Sequence, residues 1–107
     1  MKGFGNMLKQ AQQMQDKMND LQAELDRLTV EGQAGGGMVK VTLSGKIEMR
    51  AIKIDPSIIE PGEAEMIEDL VLAAYNDAKR KAETQAAEKT EALMGGLGLP
   101  PGLNLPF

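Results

Sequence analysis

The chain has 107 residues, 12 cations against 16 acids, three aromatics (Phe4, Tyr75 and Phe107), and neither cysteine nor histidine. That length fits one domain with a modest core of Leu, Ile, Val, Ala and Met. The missing residue types remove disulfides, thiolate chemistry, the commonest metal ligand and the usual general base near neutral pH, and the net charge of −4 argues against a polycation that coats nucleic acid. The opening "MKGFGNMLKQAQ" lacks the apolar core of a signal peptide, and no apolar run of about 18 residues is present to span a bilayer, so a cytoplasmic protein without a membrane partner is expected.

Met7, Ala11, Met14, Met18, Leu21, Leu25 and Leu28 follow one another in alternating steps of 4 and 3. This is a heptad seam, and it predicts one helix over about 6–29, roughly 36 Å long. The seam serves either the helix's own domain or a partner helix, within the protomer or across a dimer. Asp16, Asp20 and Glu24 repeat every fourth residue and read as a solvated acidic stripe rather than a cation site.

A first strand is expected around Leu28–Ala34, before the glycines of "GQAGGG" (32–37) break the chain. "MVKVTLS" (38–44) alternates, with Val39, Val41 and Leu43 on one face. "KIEMRAIKID" (46–55) alternates too, but its phase slips, and a bulge or twist near Ala51 would reconcile its halves. The middle of the chain is thus a predicted three-strand antiparallel meander. Asp55 and Pro56 suit the N-cap and first position of a short turn.

A second helix is predicted over about Glu63–Met94, roughly 46 Å long, with the stripe Met66, Ile67, Leu70, Val71, Ala74, Ala78 and Ala82. Large residues give way to alanine along it. Residues 1–94 therefore form a single α+β domain of order α-β-β-β-α. Residues 95–107 form an uncharged Gly/Pro/Leu tail, either a flexible end or a segment that docks its leucines in a groove on a partner or second subunit. A sheet with strands of about seven residues is only about 23 Å long, so both helices overhang it. Overhanging apolar seams predict a homodimer with projecting helices.

No catalytic or ligand motif emerges. "AGGGMVK" opens no helix, Gly45–Lys46 is not followed by Ser or Thr, and Ser44 and Ser57 have no base beside them. The expectation is a non-enzyme with no cofactor, no metal site and no small-molecule substrate.

The stretches "NMLKQAQQMQDKM", "VEGQAGGGMVKVTLSGK", "IKIDPSII" and, above all, "EDLVLAAYNDAKRKAE" resemble the YbaB/EbfC family of bacterial nucleoid-associated proteins across nearly the whole chain. The resemblance implies a tweezer-like homodimer that binds double-stranded DNA in the nucleoid, in nucleoid organisation or gene regulation, without enzymatic activity.

The residues themselves suggest where. Residues 1–15 contain Lys2, Lys9 and the amide Gln13 but no acid, and a helix N-terminus adds partial positive charge. Lys79, Arg80 and Lys81 are the second candidates. Asp77 stands three and four residues before Arg80 and Lys81, and Glu83 four after Lys79, so this segment also reads as an ion-paired solvent face. A competing reading is a dimeric coiled-coil adaptor or holdase that clasps a protein with its Met-rich helices and tail.

Overall fold

The computed structural model describes residues 2–96. Helix α1 (Lys2–Arg27) leads into strands β1 (Thr29–Ala34), β2 (Val39–Ser44) and β3 (Met49–Ile54), a short 3-10 turn at Pro56–Ile58, and helix α2 (Ala64–Gly96). The strands pair antiparallel in the order β1-β2-β3. The expected α-β-β-β-α order holds. The helix ends differ from expectation: α1 starts four residues earlier than about 6, passing through Gly3 and Gly5, and α2 includes Gly95 and Gly96. Glycine weakens a helix by about 1 kcal/mol relative to alanine but does not block it sterically, as proline would. At its other end α1 stops at Arg27, where the Gly45 backbone N–H donates to Leu25 O at 2.9 Å and Leu28 O at 3.1 Å.

Residues directly opposite one another in a ladder point to the same face. Val30, Gly32 and Ala34 pair with Leu43, Val41 and Val39, and Val41 and Val39 pair in turn with Ile52 and Ile54. These residues make the face on which α2 lies. The register shifts between Thr42 and Leu43, which oppose Ala51 and Met49, and leaves Arg50 as the extra residue of a bulge. The bulge returns Met49 to the face of Ile52 and Ile54, resolving the slipped alternation as expected.

The alanines of α2 have a definite purpose. Ala74, Ala78 and Ala82 are fully buried against the sheet with Val39, Val41 and Leu43. Their small side chains bring the helix close over Gly32. The larger Ile67, Leu70, Val71 and Tyr75 are partly buried around this contact. Met66, assigned to the same stripe, remains exposed. It lies about a third of a turn away from Ala78 on a helical wheel.

The β2–β3 connection combines two constraints. Gly45 occupies the close approach of α1, where an added Cβ would lie 2.6 Å from Leu25 O. The left-handed position therefore falls to Ile47 (φ 65°), which packs its side chain on the core. The buried Ser44 hydroxyl accepts from the backbone N–H groups of Lys46 and Glu48 and closes the turn. Downstream, Asp55 caps the 3-10 turn by accepting from Ser57 N at 2.9 Å, with Pro56 at its first position as expected.

Candidate nucleic-acid interface

The segment Asn76–Lys81 lies mid-way along α2, over the outer edge of β1. An edge strand leaves alternate backbone N–H and C=O groups unpaired. Here two side chains of α2 take them. Asp77 Oδ2 accepts from Gln33 N at 3.1 Å, and Lys81 Nζ donates to Glu31 O at 3.0 Å. Asp77 and Lys81 also bond to each other at 3.2 Å. The pair forms a clamp that fastens the helix to the strand and covers its open edge. The Gln33 N–H, and after it the Lys81 ammonium, hold the Asp77 carboxyl below its ordinary range.

The sequence flagged Lys81 as a candidate phosphate contact. In the structure its ammonium reaches a backbone carbonyl and a carboxylate, with 48 % of the side chain still exposed. The signal was present, since Lys81 lies near the edge of the apolar stripe on a helical wheel, but its acceptor belongs to a strand fifty residues away. Arg80 is different. It faces away from the sheet with 73 % of its side chain exposed and holds only a 3.4 Å contact to Asp77 Oδ1. Lys79 lies on the flank towards β3, 3.9 Å from Glu83. Exposed pairs like these contribute little, so both cations are available to a ligand.

The clamp implies a pH dependence. A carboxyl held below its unfolded-state pKa stabilises the fold above that unfolded value, and the contribution is lost as pH falls through the lowered one. Asp77→Ala is therefore expected to lower the urea midpoint at neutral pH and to converge with the parent chain in acid. Midpoints measured over that range check this. A constant difference down to the lowest pH would show that the carboxylate charge is not involved.

The second cluster is on α1. Lys9 and Gln13 are exposed and lie on the side opposite Met7 and Ala11. No Asp or Glu occurs before Asp16. Among the described residues Lys9 has no ion-pair partner. Lys2 opens the same helix, and its side chain lies outside the described residues. Along this polar stripe the sign changes at Asp16 and Asp20.

The heptad seam of α1 is divided. Leu21 and Leu25 are buried within the protomer, Leu28, Met14 and Met18 are half-buried, and Met7 and Ala11 are exposed. The helices run antiparallel with Glu24 and Lys89 paired at 2.6 Å. At 1.5 Å per residue, Lys9 and Arg80 then stand roughly 36 Å apart along the long axis, on opposite sides of that pair. The two candidate clusters therefore do not form one palm.

Among the described residues no strand pairs with the outer edge of β3. On the α2 face, Met49 and Ile52 are 48 % and 45 % exposed, and Leu72 projects from the flank of α2 towards that side. No described helix is long and apolar enough to cross a membrane.

Comparison with known proteins agrees with this architecture. A nucleoid-associated protein of Granulibacter bethesdensis is 53 % identical over 107 residues, covering all of both chains. A nucleoid-associated protein of Rhodopseudomonas palustris is 58 % identical over 105 residues, 98 % of this chain and 99 % of that one. Among solved structures, a crystal structure of an uncharacterized protein from Helicobacter pylori superposes with a TM-score of 0.72 at 23 % identity, covering 89 % of this chain and 97 % of that one, which supports the fold. Residues 1–97 match the family described as the YbaB/EbfC DNA-binding family. On this match and on the identity to its relatives, the chain belongs to the YbaB/EbfC DNA-binding family.

Proposed function

We propose that the protein binds double-stranded DNA as a homodimer in the nucleoid, through phosphate contacts with weak sequence preference. The observation that carries the reading is the acid-free polar stripe on the projecting half of α1, where Lys9 and Gln13 face solvent. Family membership and the names of the relatives support it. The roughly 36 Å between Lys9 and Arg80 is close to one turn of B-form DNA, about 34–36 Å, so both clusters of one protomer match successive approaches of a duplex backbone. Phosphate oxygens attract Lys, Arg and amide donors without reading bases. The single described aromatic at the projecting end, Phe4, is no series of stacking platforms, so duplex rather than single-strand binding is favoured.

The homodimer rests on the half-open sheet. Met49 and Ile52 of β3 and Leu72 of α2 form an apolar strip beside an unpaired strand edge. A second copy related by a two-fold axis would bury the strip and double the cationic clusters.

Fluorescence anisotropy with a random-sequence duplex tests the reading. Affinity should fall steeply between low and moderate salt, as counterion release requires. Affinity unchanged across the series would refute phosphate gripping. The exposed Phe4, Met7 and Leu8 favour a second reading, a dimeric adaptor or holdase, and an absence of DNA binding even at low salt would bring it forward.

A further inference from the structure

Strand alternation places Gln33, Lys40 and Lys53 on the sheet face opposite α2, since their neighbours Gly32, Val39, Val41 and Ile54 face that helix. The three stand side by side across the strands, Gln33 opposite Lys40 and Lys40 opposite Lys53. Directly opposed residues have Cβ atoms about 4.5–5.5 Å apart, and like charges at that spacing repel. Gln33 and Lys53 are exposed, and Lys40 is half-buried between them. Among the described residues neither lysine has an ion-pair partner. Two acids lie beside the row and leave it unneutralised. Glu31 is one row away on β1, and the Asp55 carboxylate accepts from Ser57 N. Residues 32–47 contain no Asp or Glu. Helix α1 approaches the sheet at the other end of β2, at Gly45.

The turn next to this row is built of backbone. Gly35, Gly36 and Gly37 have φ of 64°, 66° and 92°, a run of left-handed positions that side chains other than glycine's rarely adopt. Met38 N donates to Gly35 O at 3.3 Å, and among the described residues the N–H groups of Gly36 and Gly37 have no such acceptor. Nothing lies within 4 Å of a Cβ placed at Gly36, so the turn is open from outside. At Gly37 the same position is 3.4 Å from Gln33 Oε1 and 3.8 Å from Lys40 Cε, so both side chains come to the turn. Successive unpaired N–H groups beside ammonium groups are the donor set that phosphate oxygens take.

We infer that the Gly35–Gly37 turn with Gln33, Lys40 and Lys53 is a second phosphate site, which takes the backbone of a second duplex. The inference rests on the duplex binding proposed above. Two opposed lysines without a counter-charge are relieved by an anion, and a duplex supplies a row of them. A second copy laid on this face would bring the same lysine rows together. Arg80 fixes why the duplex is a second one. It faces outward from α2, on the other side of the sheet from Lys40 and Lys53, and the turn lies at the level of Leu70, roughly 15 Å along α2 from Arg80. A straight duplex resting on Arg80 cannot reach the turn of the same protomer. The protein therefore joins two duplexes.

Capture of a fluorescent duplex by beads that carry an unlabelled duplex tests this, with single-duplex affinity measured in parallel by anisotropy. The parent chain should retain the fluorescent duplex on the beads. Lys40→Gln combined with Lys53→Gln should lose most of that capture while still binding one duplex. Its thermal midpoint should equal or exceed the parent's, because the substitutions remove a repulsion. Lys40→Arg combined with Lys53→Arg keeps the charge and should keep the capture. Single-duplex binding without capture by the parent chain would overturn the inference and leave the proposed function standing. No binding to either duplex would overturn both. Full capture by the glutamine variant would overturn the turn as the second site and assign the joining to Lys9 and Arg80 of different protomers. Capture lost equally in the arginine variant would show that charge is not what the row supplies, and a sedimentation coefficient altered by the glutamine substitutions would make this face a contact between copies; either result also overturns the inference.

Discussion

Gly32→Ala is expected to destabilise the protein by about 3 kcal/mol, at the upper end for overpacking. For a domain of this size that lowers the thermal midpoint by roughly 10–20 °C. An added Cβ would lie 2.2 Å from Ala78 N and 2.3 Å from Ala74 O. Both are backbone atoms inside a helix, so no side-chain rotation relieves the clash. The helix must lift as a body. Lifting it opens the contact of Ala74, Ala78 and Ala82 with the valines of β2 and stretches the Asp77–Gln33 and Lys81–Glu31 bonds. Gly36→Ala is the matched control. Its φ of 66° penalises alanine by about 1–2 kcal/mol, but nothing lies within 4 Å of the new Cβ. Thermal unfolding followed by circular dichroism at one fixed protein concentration separates the two, since the proposed dimerisation would make midpoints concentration-dependent. Equal losses for the two variants would mean that α2 does not rest on β1 at this distance.

The same contact shows which parts of the fold were legible beforehand. Alternation over Val39, Val41 and Leu43, the slip before Ile52, and the Asp55–Pro56 start are local signals, and each became the expected element. The helices were legible from period, and their overhang from arithmetic on lengths. Partnerships across long sequence separations were not legible. Nothing local says that Gly32 is small because Ala74 and Ala78 lie on it, or that Asp77 and Lys81 serve β1. The ion pairs made by the charged residues of "NDAKRK" followed from helical spacing, and the structure contains Asp77–Lys81 and Asp77–Arg80 within it and Lys79–Glu83 just beyond it. Their meaning depended on a neighbouring strand. The α1 seam is a similar case. Spacing predicts a continuous stripe, but only the length at which α2 ends divides it into a buried half at Leu21 and Leu25 and an exposed half at Met7 and Ala11.

Lys9→Gln combined with Arg80→Gln should flatten the salt dependence of DNA binding far more than Lys81→Gln alone. Each lysine or arginine that releases a counterion contributes a slope of about 0.9 in the logarithm of affinity against the logarithm of salt. Two such residues per protomer make four in a homodimer, so the double variant should lose roughly 3–4 from the slope, with weakening nearly uniform across sequences. Lys81→Gln should behave in the opposite way. It removes the donor to Glu31 O and one partner of Asp77, so it should lower the thermal midpoint and leave the salt slope nearly unchanged. Neither substituted site of the double variant is buried, and Arg80 loses only a weak exposed pair, so its midpoint should stay near that of the parent. The experiment therefore crosses two readouts over two variants. A slope lost in Lys81→Gln but retained in the double variant would reverse the assignment, placing the phosphate contact at the strand edge and leaving the tip of α1 to another partner. Slope loss in the double variant with an unchanged midpoint would establish a phosphate grip at Lys9 and Arg80, and the acidic balance of the chain then has a physical role. In that case the acids from Asp16 onwards on α1 would repel the duplex between Lys9 and Arg80 and confine contact to those two stations.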